Sequence, residues 1–246
     1  MMIKVPFPKV LLFDVGGVLI HPDGFKIAKV IYERTGIYVD ANIASKALFL
    51  TAYEAANSSD PENYWKSYMV KKMYVEKLSV NVKYAEQVWL AIKYIDTIEN
   101  SLWTICEQDT SDILKDLKQQ GLILAIVSNT NGRLRADLEK FSLLEYFTAI
   151  VDSEVDGVRK PDPEAFKLAL KRIGQINPAL CWHIGDDPYY DVWASSNAGI
   201  GCSVYYNRFN LQAPTEAGLV INTLSQLKNI IHSLKGMNTN EKVRLV

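Results

Sequence analysis

The sequence predicts an α/β fold with a doubly wound, mainly parallel sheet and an inserted all-α cap. Two observations support this prediction. Short apolar runs that end at a polar residue alternate with amphipathic helical patterns, and the stretch from residue 22 to residue 103 contains helical patterns alone. Alternation of strand and helix favours a parallel sheet with right-handed crossovers. A helical block after the first strand favours a separate cap.

The predicted strands are continuous apolar runs, which is typical of strands covered by helices on both faces. The runs at 10–14, 122–129, 148–153 and 181–187 each stop at a polar residue and a turn. The runs are VLLFD (10–14), LILAIVSN (122–129), TAIVDS (148–153), CWHIGDD (181–187), IGCSVYY (200–206) and LVI (219–221). Their alternation with helices makes the predicted sheet Rossmann-like.

The helices between these strands are indicated by apolar stripes and by end signals. In KPDPEAFKLALKRIG (160–174), Asp162 is a suitable N-cap and Pro163 suits the first helical position. Phe166, Leu170 and Ile173 then lie on one helical face. Helical patterns of the same kind occupy residues 110–121, 191–199 and 223–234.

The helical block forms the predicted cap. We therefore predict a discontinuous core of residues 1–21 and 104–246 and a cap of residues 22–103. The amphipathic patterns of the cap are FKIAKVIYERTG (25–36), SKALFLTAYEAA (45–56), NYWKSYMVKKMYVEKL (63–78) and YAEQVWLAIKYI (84–95).

Composition indicates an ordinary globular protein. The 246 residues are 48% hydrophobic and 22% charged, with a formal net charge of -1. This charge gives no electrostatic reason to expect nucleic acid or a membrane surface as a partner. The three cysteines form no CxxC pair, the N-terminus does not resemble a signal peptide, and no apolar run could span a bilayer. We therefore expect a cytoplasmic protein, and its oligomeric state stays open.

Polar residues at the strand ends are the candidate site, because ligands of open parallel sheets bind at the carboxyl ends of the strands. Carboxylates and a lysine together favour a divalent cation, Mg²⁺, and a phosphate. The glycines after the first strand allow backbone N–H groups to approach that phosphate closely. The candidates are Asp14, Gly16, Gly17, Ser128, Asn129, Lys160, Asp186 and Asp187.

Four segments in order resemble the motifs of the haloacid dehalogenase-like (HAD) superfamily. They are DVGGVL (14–19), VSNTNGRL (127–134), RKPDPEAF (159–166) and HIGDDPYYDVWASSNAG (183–199). The long interval of 114 residues between Asp14 and Ser128 fits a helical cap inserted after the first motif. The resemblance covers the predicted sheet domain, whereas the cap matches in position and helical character alone.

The resemblance implies a Mg²⁺-dependent phosphatase that acts on a small phosphate ester through an aspartyl-phosphate intermediate. It makes Asp14 the nucleophile, Ser128 and Lys160 the catalytic partners that bind the phosphoryl group, and Asp191 a supporting residue. Gly16, Gly17 and Asn129 complete the implied phosphate site. The implied metal ligands are Asp14, Asp186 and Asp187, and which of the last two binds the metal stays open.

One position departs from the family pattern. Phosphatases of this family usually carry a second aspartate two residues after the nucleophile, as general acid and base, and Gly16 stands there. We therefore expect slow turnover, or turnover restricted to leaving groups of low pKa. His21 is the candidate substitute acid, although a histidine in LIHPDG is also typical of an ordinary loop.

Two alternatives follow from Gly16. The first is a phosphate-ligand-binding or regulatory protein that lost efficient turnover. The second is a 2-haloacid dehalogenase, since the dehalogenases of this superfamily also lack the second aspartate. Clustered carboxylates disfavour the dehalogenase, because attack on a halogenated carbon needs no metal and spare carboxylates repel an anionic substrate.

Overall fold

The computed structural model describes residues 7–64, 66–100 and 102–236. Contacts divide the chain into two compact units. One contains the chain up to Leu19 and from Glu107 onward, and the other is Ile20–Cys106. Trp65, within the third predicted cap pattern, lies outside the described residues.

The secondary structure alternates in the first unit and is mainly helical in the second. The strands are β1 (Val10–Phe13), β2 (His21–Pro22), β3 (Trp103–Ile105), β4 (Ile123–Ser128), β5 (Ala149–Asp152), β6 (Cys181–Gly185), β7 (Cys202–Tyr206) and β8 (Leu219–Ile221). The α-helices are α1 (Gly24–Thr35), α2 (Ala41–Ala56), α3 (Pro61–Tyr64), α4 (Tyr68–Lys77), α5 (Ala85–Thr97), α6 (Thr110–Gln119), α7 (Leu134–Lys140), α8 (Ser153–Asp156), α9 (Pro163–Arg172), α10 (Ala194–Asn197) and α11 (Leu224–Gly236).

The first unit is built on a six-stranded sheet in the order β5-β4-β1-β6-β7-β8. All its neighbouring strands are parallel, which confirms the predicted Rossmann-like sheet. Every residue of β1 is buried, and this explains why its apolar run is continuous. Because the strand order reverses at β1, the carboxyl ends of β1, β4 and β6 border the crevice where such sheets bind ligands.

Helix α9 begins and packs as its sequence predicts. Asp162 accepts a hydrogen bond from the Glu164 N–H at 2.9 Å, and Pro163 is the first helical residue. Phe166 and Leu170 are buried in an apolar cluster that includes residues of β1, β4 and β5. Helix α9 therefore covers one face of the sheet.

The segment after β6 differs from the single helix predicted for residues 191–199. It begins as a π-helical turn, Pro188–Trp193, which continues into α10. Asp187 caps this turn, because its side chain accepts hydrogen bonds from two backbone N–H groups. The early start brings Asp191 into the first turn.

The second unit consists of α1 to α5 around an apolar cluster with Tyr74 in its interior. The third predicted cap helix is interrupted, because Ser67 caps α4 through the Met69 N–H and separates it from α3. Strands β2 and β3 pair as an antiparallel ribbon at the two ends of this unit. Within the described part of the chain, no helix is long and apolar enough to cross a membrane.

Candidate active site

Asp14 stands at the carboxyl end of β1, where its N–H donates to the Ile184 carbonyl at 2.9 Å. The Lys160 ammonium lies 2.9 Å from Asp14 Oδ1. The Ser128 side chain, at the end of the neighbouring strand, also interacts with the Asp14 carboxylate and acts to lower its pKa. The parallel pairing of β1 with β4 thus brings together residues that are far apart in the sequence.

Lys160 is buried between two carboxylates. Its side chain is 2% exposed, and its ammonium contacts Asp14 and Asp191. The Asn129 side chain fixes the Lys160 backbone from both sides: its amide donates to the Lys160 carbonyl at 2.8 Å, and its carbonyl accepts from the Lys160 N–H at 2.9 Å. Asn129 therefore has a defined structural contact, and its role toward phosphate stays a prediction.

Asp191 has partners on both of its carboxylate oxygens. Oδ1 faces the Lys160 ammonium and His183 Nε2, the latter at 2.9 Å. Oδ2 accepts from the Asp187 N–H at 3.0 Å. A side chain at Gly185 would overlap the Asp191 carboxylate, so this glycine makes room for it. These contacts give Asp191 a supporting position beside Lys160.

His183 begins the fourth motif segment, but it is not among the candidate site residues of the sequence analysis. It is buried in the middle of β6, and it contacts Asp191. The sequence did contain a signal, because a polar side chain in a fully buried strand needs a hydrogen-bond partner. The sequence did not reveal which partner it would find.

Three carboxylates converge beside Lys160. One oxygen each of Asp14, Asp186 and Asp191 lies within 4.8 Å of the others. Asp191 already binds Lys160 and His183, whereas no hydrogen bond or salt bridge from the described part of the chain reaches the Asp186 side chain. Asp14 and Asp186 are therefore the carboxylates available to a cation, and oxygen donors of this kind suit Mg²⁺.

Gly17 provides the space for Asp186. Its φ of +83° lies in the left-handed region, and an added Cβ would lie 2.9 Å from Asp186 Oδ1 and closer still to the rest of that carboxylate. A side chain here would be both strained and in collision with Asp186. Gly16 has no such backbone constraint, because its φ is not positive.

Asp187 lies beside the cluster but is used as a cap. Its Oδ1 accepts from the N–H groups of Tyr189 and Tyr190, both at 2.8 Å. Burial and the neighbouring Asp191 carboxylate raise the pKa of Asp187 to about 7, although the two N–H groups oppose this shift. The structure thus shows Asp187 as the cap of the π-helical turn, and its role as a metal ligand stays a prediction.

Burial and charge shift the pKa values of the other acidic groups in opposite directions. Burial, followed by repulsion from Asp191, raises the pKa of Asp14 despite the opposing Lys160 charge. Burial and three neighbouring carboxylates raise the pKa of Asp186 well above its usual range. Burial also acts on Asp191, but the Lys160 charge and the His183 hydrogen bond outweigh it and lower its pKa.

The Lys160 ammonium is held in its charged form. Burial alone would lower the pKa of Lys160, but the charges of Asp14 and Asp191 outweigh burial and raise that pKa above its usual value. The positive charge therefore persists across the physiological range. His21, the predicted substitute acid, is a buried residue of β2 in the second unit, and that role stays a prediction.

The parallel sheet and the acidic cluster at its carboxyl edge are those of a Rossmann-like α/β protein with its site where the strand order reverses. The chain belongs to the haloacid dehalogenase-like hydrolase family, whose sequence model matches residues 8–199. It is 31% identical to haloacid dehalogenase-like hydrolase domain-containing protein 3 of Bos taurus, over 78% of this chain and 79% of the relative. It is 27% identical to glyceraldehyde 3-phosphate phosphatase of Pyrococcus furiosus, over 93% of this chain and 95% of the relative.

Solved structures share the fold. A HAD hydrolase from Bacillus subtilis, bound to magnesium, is 20% identical with a TM-score of 0.64, covering 91% of this chain and 98% of that chain. An L-2-haloacid dehalogenase from Xanthobacter autotrophicus is 17% identical with a TM-score of 0.57, covering 94% of this chain and 100% of that chain. The fold is therefore shared with a dehalogenase and does not by itself identify the reaction.

Proposed function

We propose that the protein is a Mg²⁺-dependent phosphatase of a small phosphate ester, with Asp14 as the nucleophile. The observation that carries this proposal is the Lys160 ammonium, which is buried in contact with Asp14 and Asp191. A carboxylate that attacks a dianionic phosphate is repelled by it. A fixed positive charge beside the attacking oxygen reduces that repulsion before the substrate arrives.

The chain's own groups account for binding and attack. Asp14 attacks phosphorus and the ester oxygen leaves, which forms an aspartyl-phosphate that water then hydrolyses. Lys160 and the Ser128 hydroxyl offer positive charge and a hydrogen bond to the phosphoryl oxygens beside Asp14. The Asp191 carboxylate keeps Lys160 in place, and Asn129 holds its backbone.

A divalent cation fits the remaining acidic groups. Asp14 and Asp186 would hold it, with Asp187 as the further predicted ligand. When bound, Mg²⁺ supplies positive charge that offsets the negative charge of the carboxylates and of the phosphoryl group. Burial first and three neighbouring carboxylates second raise the pKa of Asp186, and the Lys160 charge offsets only part of this shift, so a bound cation would favour the ionised carboxylate.

Gly16 restricts the substrates that we expect. A positioned general acid contributes about 10²–10⁴-fold to the rate, which corresponds to roughly 3–5 kcal/mol of the activation barrier. An aspartate two residues after Asp14 would provide it, and Gly16 provides no side chain. We therefore propose that the enzyme favours leaving groups of low pKa, such as anomeric or acyl phosphates, unless His21 serves as the acid.

The similar proteins support phosphate chemistry. Relatives named glyceraldehyde 3-phosphate phosphatase and phosphoglycolate phosphatase act, by their names, on small phosphate esters. The acidic cluster of Asp14, Asp186 and Asp191 also argues against a dehalogenase, because it would repel a carboxylate substrate unless a cation were bound.

The test is a phosphate-release screen over sugar, acyl and nucleotide phosphates, with Mg²⁺ and with EDTA. We expect Mg²⁺-dependent release that Asp14→Asn abolishes and that Asp162→Asn, an exposed capping residue, leaves unchanged. Equal hydrolysis by Asp14→Asn and the unmodified protein would refute the nucleophile assignment. Phosphate binding without release would indicate the binding protein, and halide release in EDTA would indicate the dehalogenase.

A further inference from the structure

Both ring nitrogens of His183 face oxygen atoms. Nδ1 lies 3.1 Å from the Leu12 carbonyl oxygen, and Nε2 lies 2.9 Å from Asp191 Oδ1. The side chain is 1% exposed, and the edge of the ring packs against Phe166, with the centroids 5.0 Å apart and the planes at 86°. The ring is therefore held in one orientation by contacts on several sides.

Hydrogen-bond chemistry sets the direction of the contact with Asp191. Asp191 Oδ1 faces the Lys160 ammonium, which favours the ionised carboxylate, and a carboxylate oxygen accepts hydrogen bonds. A bare Nε2 would place a lone pair against that oxygen. The donor of this contact is therefore the Nε2–H of His183, and the acceptor is Asp191 Oδ1.

We propose that His183 is a positioning residue, which fixes the Asp191 carboxylate so that Asp191 holds the Lys160 ammonium against Asp14. The chain of contacts runs from the Leu12 carbonyl through His183 and Asp191 to Lys160 and Asp14. Without His183, Asp191 Oδ1 loses its hydrogen bond to β6, and the Asp191 carboxylate can rotate and draw the Lys160 ammonium away from Asp14. The kinetic part of this proposal rests on the proposed phosphatase function.

The first test reads the His183 protons directly and does not depend on activity. The chain contains 3 histidines, so ¹⁵N NMR of histidine-labelled protein, with the His21→Ala and His232→Ala variants for assignment, isolates the His183 ring. We expect the Nε2 of His183, which faces Asp191, to carry a hydrogen-bonded proton. An unprotonated Nε2 would overturn the proposal, whatever the enzyme hydrolyses.

The second test uses two amide variants that each keep one of the two contacts. The amide nitrogen of His183→Gln can take the position of Nε2 and donate to Asp191, whereas that of His183→Asn can take the position of Nδ1 and donate to the Leu12 carbonyl. Each variant loses one buried hydrogen bond and the ring contact with Phe166. The pair therefore separates support of Asp191 from general packing.

We expect His183→Asn to lower kcat roughly 10- to 100-fold, which is the usual range for partners that orient a reacting ligand. Its KM should change by less than about threefold, and His183→Gln should keep kcat within about threefold of the unmodified protein. Equal losses in both variants, or full activity of His183→Asn, would overturn the proposal. If neither variant folds, the NMR result decides the question. If the unmodified protein releases no phosphate, the proposed function fails and the NMR test still stands.

Discussion

Replacing Lys160 by methionine tests the electrostatic basis of the site. Methionine retains most of the side-chain volume and removes the charge that contacts Asp14 and Asp191. At the 2.9 Å separation of Lys160 Nζ and Asp14 Oδ1, the attraction is about 6 kcal/mol at an effective dielectric constant of about 20. Desolvation of the charges offsets part of this value. The net cost of removing one partner of a buried ion pair is about 3–5 kcal/mol.

We expect Lys160→Met to lower the unfolding temperature by about 6–20 °C at neutral pH, since 1 kcal/mol corresponds to about 2–4 °C for domains of 150–250 residues. The matched control is Lys167→Met, which removes the same charge from an exposed pair with Glu164. Exposed pairs contribute little, so the control should unfold close to the unmodified protein. Equal unfolding temperatures of Lys160→Met and the unmodified protein would refute the ion-pair argument.

The pH dependence gives a second readout of the same variant. Lys160 opposes the raised pKa of Asp14 and lowers the pKa of Asp191, so removing it should raise both folded-state pKa values. Stability that comes from a raised pKa is fully present below the unfolded pKa and is lost as the pH rises through the folded pKa. Urea unfolding should therefore show a larger deficit of Lys160→Met at pH 8 than at pH 5. A deficit that is constant with pH would indicate lost packing instead.

Three further predictions follow from the same contacts. Mg²⁺ should raise the unfolding temperature more at pH 8 than at pH 5.5, because burial raises the pKa values of Asp14 and Asp186 and a cation binds their deprotonated forms. Calorimetry with and without Mg²⁺ measures this increase, and Asp186→Asn should remove it. Gly16→Asp should raise kcat on poor leaving groups, by up to the roughly 10²–10⁴-fold that a positioned general acid usually contributes. An unchanged kcat would mean that another group already acts as the acid, and the activity of His21→Ala then tests His21. Asp187→Ala should lose about 1 kcal/mol of capping stability in urea unfolding, whereas Asp187→Asn should retain the cap. A loss of Mg²⁺ affinity in Asp187→Asn would show that Asp187 is a metal ligand.

The sequence predicted the sheet well because burial on both faces leaves a strong local signal. The apolar runs that end at Asp14 and Ser128 each contain a strand of the parallel sheet. Cap signals also act locally, as Asp162 and Pro163 at the start of α9 illustrate. The interruption between α3 and α4 was not predicted, because it depends on hydrogen bonds of Ser67, which donates to the Tyr64 carbonyl and caps α4 through the Met69 N–H.

The site was harder to predict, because the partners of a polar side chain are set by the packed structure. Asn129 and Lys160 are 31 residues apart, and their mutual hydrogen bonds form only when β4 and the loop before α9 come together. His183 and Asp191 are 8 residues apart, but the π-helical turn determines that the carboxylate faces the ring. Neither pairing follows from residue types or spacing.

Hydrogen bonding separates acidic residues that look equivalent in the sequence. Asp187 Oδ1 caps a helical turn, and Asp191 binds Lys160 and His183. Asp14 shares Lys160, whereas Asp186 contacts no donor in the described ranges. The single Lys160 ammonium is shared between Asp14 and Asp191, so the charge of Asp186 is left without a contacting cation in the described part of the chain. A divalent cation that meets Asp186 together with a phosphoryl group would then complete the balance, so binding of either ligand should strengthen binding of the other.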